Sequence, residues 1–412
     1  MWSCKLIIVT AVIFGLFTQM GCTSTYKNED VFLRRWVRDT KSQSYTGNYN
    51  NMVFHPLVFD DLVVAGNNVD GLVAYSKVMG LKKWTYKEEG GVSNPGIAVG
   101  SYIFFSTYNG KAIALNAANG KLFWSTDINY PTFKPFVFDN GRIYIHTQND
   151  EMISLEASSG ERIWTHKHGG AQNIQVSSTN TPVLLGSLIV SGFSDGSIVA
   201  LEKTSGRERW SRRLNFQSRF RDLTAITIFD KDKLLVGGYD DGVYALNGLD
   251  GSVIWKKDLA VTSNFILIEE EGPQTTSVGD SLSSTEGKTG AVKDENSGGG
   301  SSPVAASASR TRSQACASSL DEKIYCLNPQ NGQQIQVIRT VSPATQLAFY
   351  NKKLFYGLSE GGLGVFDLVS RKAYRYPTFA GVSALPVADP KQDSVVYFSS
   401  NAGNVYSLRY TF

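Results

Sequence analysis

Few residues in this chain have side chains suited to chemistry. Its 412 residues include four histidines, His55, His146, His166 and His168, and four cysteines, Cys4, Cys22, Cys316 and Cys326. Zinc hydrolysis of the common kind needs an HExxH pair on a helix, and serine hydrolysis needs a strand-to-helix nucleophile turn. Neither arrangement can be read in the sequence, so no catalytic residue is assigned. His166 and His168 stand two apart, which places both imidazoles on one side of a strand. The choice is between a zinc site and a loop-adjacent surface pair, and the expectation is the surface pair, with no metal ligand and no cofactor. Asp70, Asp195 and Asp241 each precede a glycine and read as turn residues rather than calcium ligands. Forty Lys plus Arg against thirty-seven Asp plus Glu leave a net charge of +3, too little concentrated positive charge for a nucleic-acid partner. A basic run of Arg212, Arg213, Arg219 and Arg221 could meet an acidic partner or be ordinary solvated surface.

The elements that carry these residues follow one repeated phrase. A small residue and Leu (Tyr in the first copy) end a strand, a polar turn with Gly follows, and Trp comes ten positions after the small residue. The copies run from Ala74 to Trp84, Ala114 to Trp124, Ser154 to Trp164, Ala200 to Trp210 and Ala245 to Trp255. Two more, Cys326 to Gln336 and Gly364 to Tyr374, keep the count without Trp. A second hairpin precedes each copy, so each unit is four short strands. Successive Trp residues lie 40, 40, 46 and 45 positions apart, the period of propeller blades. An eighth unit begins at Ser394 and runs out at Phe412 before its fourth strand. Residues 31–40, with Trp36, are expected to supply that strand and close the ring, which hides the sheet edges. The fold class is therefore all-β: an eight-bladed propeller of four-stranded antiparallel blades over residues 31–412. Trp is expected to fill the wedge between blades, where an aromatic buries roughly 150 to 250 Å². The alternative, a Trp row that stacks sugars or bases, is the weaker reading. Gly four residues before Trp is expected to supply the positive φ of the turn.

Three segments stand outside the repeat. Residues 1–21 read as an export signal, with Lys5 ahead of an apolar run from Leu6 to Phe17 and small Gly21 before Cys22. This resembles the lipobox of bacterial lipoproteins, although Gln19 stands where Leu is preferred. The resemblance implies lipidation of Cys22, a tether over residues 22–30 and, with Thr23 next, an outer-membrane address; an ordinary signal with an incidental cysteine is the alternative. Residues 271–313, rich in Ser, Gly and charge, read as a disordered insertion in blade six. Strand alternation sends this insertion to the face opposite the blade-linking loops. Cys316 and Cys326 remain after Cys4 and Cys22 are accounted for. They fall on adjacent strands of blade six, and the turn around Asp321 decides between a disulfide and two buried thiols.

The repeat phrase resembles the pyrroloquinoline-quinone-type propellers and covers almost all of the mature chain. Quinoprotein dehydrogenases in that superfamily are longer and carry adjacent cysteines, which this chain lacks. A lipidated eight-bladed chain closed through its termini resembles instead the BamB family of outer-membrane β-barrel assembly factors. That resemblance implies a non-catalytic scaffold of the Bam complex on the periplasmic face of the outer membrane. The implied chain is a monomer within a hetero-complex, without cofactor. It binds the periplasmic domains of a BamA-like barrel subunit, and unfolded outer-membrane proteins form a further partner class. The family's contact positions fall on Ile174 and Val176, with its arginine at Ser177, and its acidic pair falls on Asp222 and Thr224. Here Ser177 and Thr224 depart from the pattern, Arg219 or Arg221 could replace the lost contacts, and Ile174 and Val176 could equally pack inward. A quinone-dependent dehydrogenase and a periplasmic glycan binder remain the alternatives.

Overall fold

In the computed structural model the described residues are 31–40, 54–67, 69–169, 180–214, 222–240, 242–270 and 312–412. They form eight four-stranded antiparallel sheets. Blade one is Leu57–Phe59, Leu62–Asn67, Gly71–Ser76 and Lys82–Lys87, inner strand to outer, and the next six blades repeat that order. Blade eight takes three strands from the C-terminus, and its outer strand is Phe32–Asp39 from the N-terminal side. Trp36 pairs with Ser407 in the register that joins Ala74 to Trp84 in blade one, so the expected closure is present.

Second and third strands of each blade read as near-continuous apolar runs because both faces are covered by neighbouring blades. Eight buried clusters result, each bridging two consecutive blades, and the cluster of Trp36, Val63, Val73 and Tyr397 joins blade eight to blade one. The ring is thus one continuous chain of interfaces.

The tryptophans form those interfaces in a specific way. Trp164 Nε1 donates to Lys203 O in the next blade at 3.0 Å, and Trp36, Trp84, Trp124, Trp210 and Trp255 make the same bond at 2.9–3.1 Å. Each indole also lies flat on the turn glycine of the next blade. A Cβ on Gly206, whose φ is +71°, would come within 2.6 Å of the Trp164 ring. The glycine therefore serves twice, as the left-handed turn residue and as the floor for its neighbour's tryptophan.

The copies without Trp depart in different ways. Gln336 keeps the pairing position opposite Cys326 and accepts a hydrogen bond from Arg371 Nη1, and Arg371 holds the left-handed turn position with φ +58°. In blade seven the count of ten misleads. That blade lacks the bulge found in the others, so Arg375 and not Tyr374 stands opposite Gly364, and Tyr374 stacks on Phe412 at 3.9 Å.

In blade six Cys316 and Cys326 face each other directly in register and are joined by a disulfide, with Cα atoms 4.0 Å apart and both residues fully buried. The insertion is shorter than expected at its far end, since Arg312 and Ser313 already belong to the strand Arg312–Ser319. Its remaining residues lie outside the described set, as do Cys22 with the whole signal and tether.

Candidate partner-binding face

Each linker between blades and each turn between second and third strands emerges on one face of the ring, because strand direction alternates within a blade. The described ends of the linkers into blades four and five, Gly169 and Asn180, then Leu214 and Asp222, belong to that face. Ile174, Val176, Ser177, Arg219 and Arg221 fall outside the described residues. Asp222 and Thr224 are described, and both side chains are buried, at 2% and 4% exposure. The expectation that they present polar groups to a partner is corrected by this burial. Thr224 Oγ1 donates to Val261 O at 2.6 Å and lies 3.2 Å from Gly237 O, which stitches blade five to the linker of blade six. Thr345 does the same for blade seven, donating to Val382 O at 2.6 Å, so the stitch occurs in two blades.

Between blades three and four lies a buried polar cluster. Lys134 Nζ, itself 8% exposed as a residue, sits 3.0 Å from His146 Nδ1 and 3.3 Å from Gly192 O. His146 Nδ1 is 2.6 Å from Ser191 Oγ, and His146 Nε2 is 3.4 Å from Asp150 Oδ1. Asp150 also accepts from Ser194 Oγ. Burial takes Lys134 down to about 8 against the opposing pull of Asp150 and Asp222, so its ammonium persists near neutrality. Burial takes His146 down to about 4, and the Lys134 cation adds to the fall, so the imidazole is neutral.

This cluster carries the order of a Ser–His–Asp chain, yet Ser191 and His146 are 2% and 1% exposed and offer a substrate no approach. The expectation that the sequence holds no nucleophile turn is corrected in part: Gly192 to Gly196 and Gly357 to Gly361 both spell G-x-S-x-G, but each turns between two strands rather than into a helix, and Ser194 is engaged by a carboxylate rather than an imidazole. The arrangement satisfies buried polar groups across blades three and four. His168 lies on its outer side, with its ring 4.4 Å from Phe193 and its Nε2 3.4 Å from Asp195 Oδ2. Asp195 performs the expected turn role, accepting from Ser197 N at 3.0 Å.

At the ring centre the inner strands of blades two to five line a funnel of about 840 Å³. Val99, Val137, Phe138, Val183, Leu184 and Ile228 line its wall, and none of the residues around it is ionisable.

The comparisons agree with this geometry. The family model described as outer membrane protein assembly factor BamB matches residues 70–230 and 217–410. BamB of Legionella pneumophila is 29% identical over 104 residues, which is 24% of this chain and 27% of that protein. Matched stretches cover from 27% to 67% of the length of the BamB relatives. Among solved structures, BamB from Moraxella catarrhalis superposes with a TM-score of 0.67 at 15% identity, over 92% of this chain and all of that one. A europium-containing methanol dehydrogenase gives 0.63 at 12% identity, over 92% and 93% of the two chains. Such low identities speak for the shared propeller alone.

Proposed function

The chain belongs to the outer membrane protein assembly factor BamB family, and from that membership we propose that it is a non-catalytic scaffold subunit of an outer-membrane β-barrel assembly complex. The family match through residues 70–410 carries this reading. The apolar funnel supports it, since a quinone–metal centre needs acidic ligands at the ring axis, and the described residues that line the funnel include no carboxylate and only Thr181 and Thr227 as polar side chains. Lipid on Cys22 holds the ring at the periplasmic side of the outer membrane. The linkers into blades four and five dock on the periplasmic domains of a BamA-like barrel subunit, with Ile174 and Val176 as apolar anchors. Asp222 and Thr224 act indirectly, by fixing the base from which the second linker departs. Unfolded outer-membrane proteins are a further partner class for the same face.

Affinity purification of the full chain from detergent-solubilised envelopes, followed by mass spectrometry, tests the reading. A large barrel protein with periplasmic repeat domains should be recovered. Replacing Ile174 and Val176 together by Asp should remove it, because each buried carboxylate would be left unpaired at the interface. Recovery of the propeller alone, or with a redox partner and bound quinone, would overturn the scaffold reading in favour of a dehydrogenase or a glycan binder. Charge reversal at Asp222 is a poor probe here, since burial makes it a folding variant.

A further inference from the structure

At the junction of blades three and four the repeat is interrupted by three metal-ligating side chains. His166 lies on the outer strand Arg162–Lys167 of blade three, His168 follows it, and Glu208 opens the outer strand Glu208–Arg213 of blade four. One donor atom from each lies within 4.8 Å of the other two. We propose that these residues bind a divalent transition-metal ion, Zn²⁺ by their donor chemistry, which ties the outer strands of the two blades together.

The other junctions serve as internal controls. The positions two and four residues after Trp, and two after the next blade's turn glycine, bring Tyr86, Glu88 and Leu122 together at the first junction and Thr126, Ile128 and Arg162 at the second. The fourth and fifth junctions place Arg212, Leu214 and Val253, then Lys257, Leu259 and Gln334, at the same positions. At the second junction Thr126 Oγ1 donates to Gly160 O at 2.7 Å, and His166 meets the corresponding Gly206 backbone, so what sets its junction apart is the addition of His168 and Glu208. Among these junctions His, His and Glu converge at one alone, so the set is not a by-product of the repeat.

Two further observations point to an ion. His166 keeps a backbone contact with Gly206, and its Nε2 is shielded from solvent with no hydrogen-bond partner among the described residues, which leaves that nitrogen open to a metal ion. His168 is held in place by Phe193 beneath its ring and by Asp195 beside it, and Asp195 is itself fixed by Ser197 N and Oγ, each at 3.0 Å. A carboxylate against a histidine orients the ring and raises its basicity as a ligand. Two imidazoles and a carboxylate suit Zn²⁺ with water in the fourth position, and disfavour Mg²⁺ and Ca²⁺. Donors around a tetrahedral zinc sit about 3.4 Å apart. The present spread needs a small contraction, which the exposed Glu208 side chain can supply.

The test is calorimetric titration of ZnCl₂ into the full chain in detergent, purified without a polyhistidine tag and stripped with a chelator. One Zn²⁺ per chain should bind with micromolar affinity or tighter, and Co²⁺ in its place should give the visible bands of a tetrahedral site. Glu208→Ala should weaken binding by roughly tenfold or more, His166→Ala with His168→Ala should abolish it, and His55→Ala should leave it unchanged. Absence of saturable binding, or binding that survives both Glu208→Ala and the double histidine variant, would overturn the proposal. If the double variant does not fold, Glu208→Ala decides alone, because Glu208 is exposed and its loss leaves the core intact.

Discussion

At the scale of single residues, each tryptophan rests on the next blade's glycine, and six such pairs join the blades. Trp164→Ala removes a 9%-exposed side chain and its bond to Lys203 O, and should cost about 3–5 kcal/mol in urea unfolding. Gly206→Ala adds a left-handed strain of about 1–2 kcal/mol to a collision with the same ring, so it should destabilise although it removes nothing. An unchanged urea midpoint for Gly206→Ala would show that the ring can slide away. Tryptophan and glycine were legible in the sequence because their demands recur at a fixed count in every blade. Thr224 was not: its acceptor, Val261 O, lies 37 residues further on, and nothing nearby in sequence marks a stitch between blades. The same separation hid Glu208, 40 residues beyond His168, from the metal-ligand search.

At the scale of elements, the ring depends on what joins blade eight to blade one. Lys77 Nζ meets Asp389 Oδ1 at 2.8 Å with both groups buried, Tyr397 Oη donates to Asp389 Oδ2 at 3.1 Å, and Trp36 Nε1 donates to Lys77 O. Burial alone would raise the Asp389 carboxyl, but Lys77, the Lys391 amide and Tyr397 together hold it below the usual carboxylate range. A carboxylate depressed in the folded state contributes stability that is present above the unfolded value of about 4 and is lost as pH falls through the folded value. Wild type should therefore lose more stability than Asp389→Asn between neutral and acid pH, measured by urea midpoints across that range. Asp389→Ala should cost about 3–5 kcal/mol, since it strands a buried ammonium. Equal acid sensitivity in wild type and Asp389→Asn would remove this clasp from the account of closure. In blade six, replacing Cys316 and Cys326 by Ala should cost about 2–3 kcal/mol, the value for closing so short a loop in the unfolded chain. Comparing reduced wild type with the double variant separates that term from packing.

At the scale of the whole molecule, the face that carries the linkers and the face that carries the insertion are opposite by strand alternation. Deleting residues 271–311 should leave recovery of the barrel partner and the thermal midpoint unchanged, whereas deleting residues 31–40 should open the ring and lower the midpoint sharply. Loss of partner recovery on the first deletion would place the insertion at the docking face. The eight blades, their period, the closing strand and the position of the insertion were legible in the chain, because these depend on alternation, turn residues and counting, all local or repeated. It also misplaced Tyr374 by one position, since counting cannot detect a missing bulge. That Cys316 faces Cys326, that Asp222 and Thr224 turn inward, and that His166 and His168 meet Glu208 became visible in the folded chain alone. Each of those facts depends on which side of a strand looks toward its neighbour once the sheets have twisted and stacked, and that is settled by packing between segments far apart in the chain.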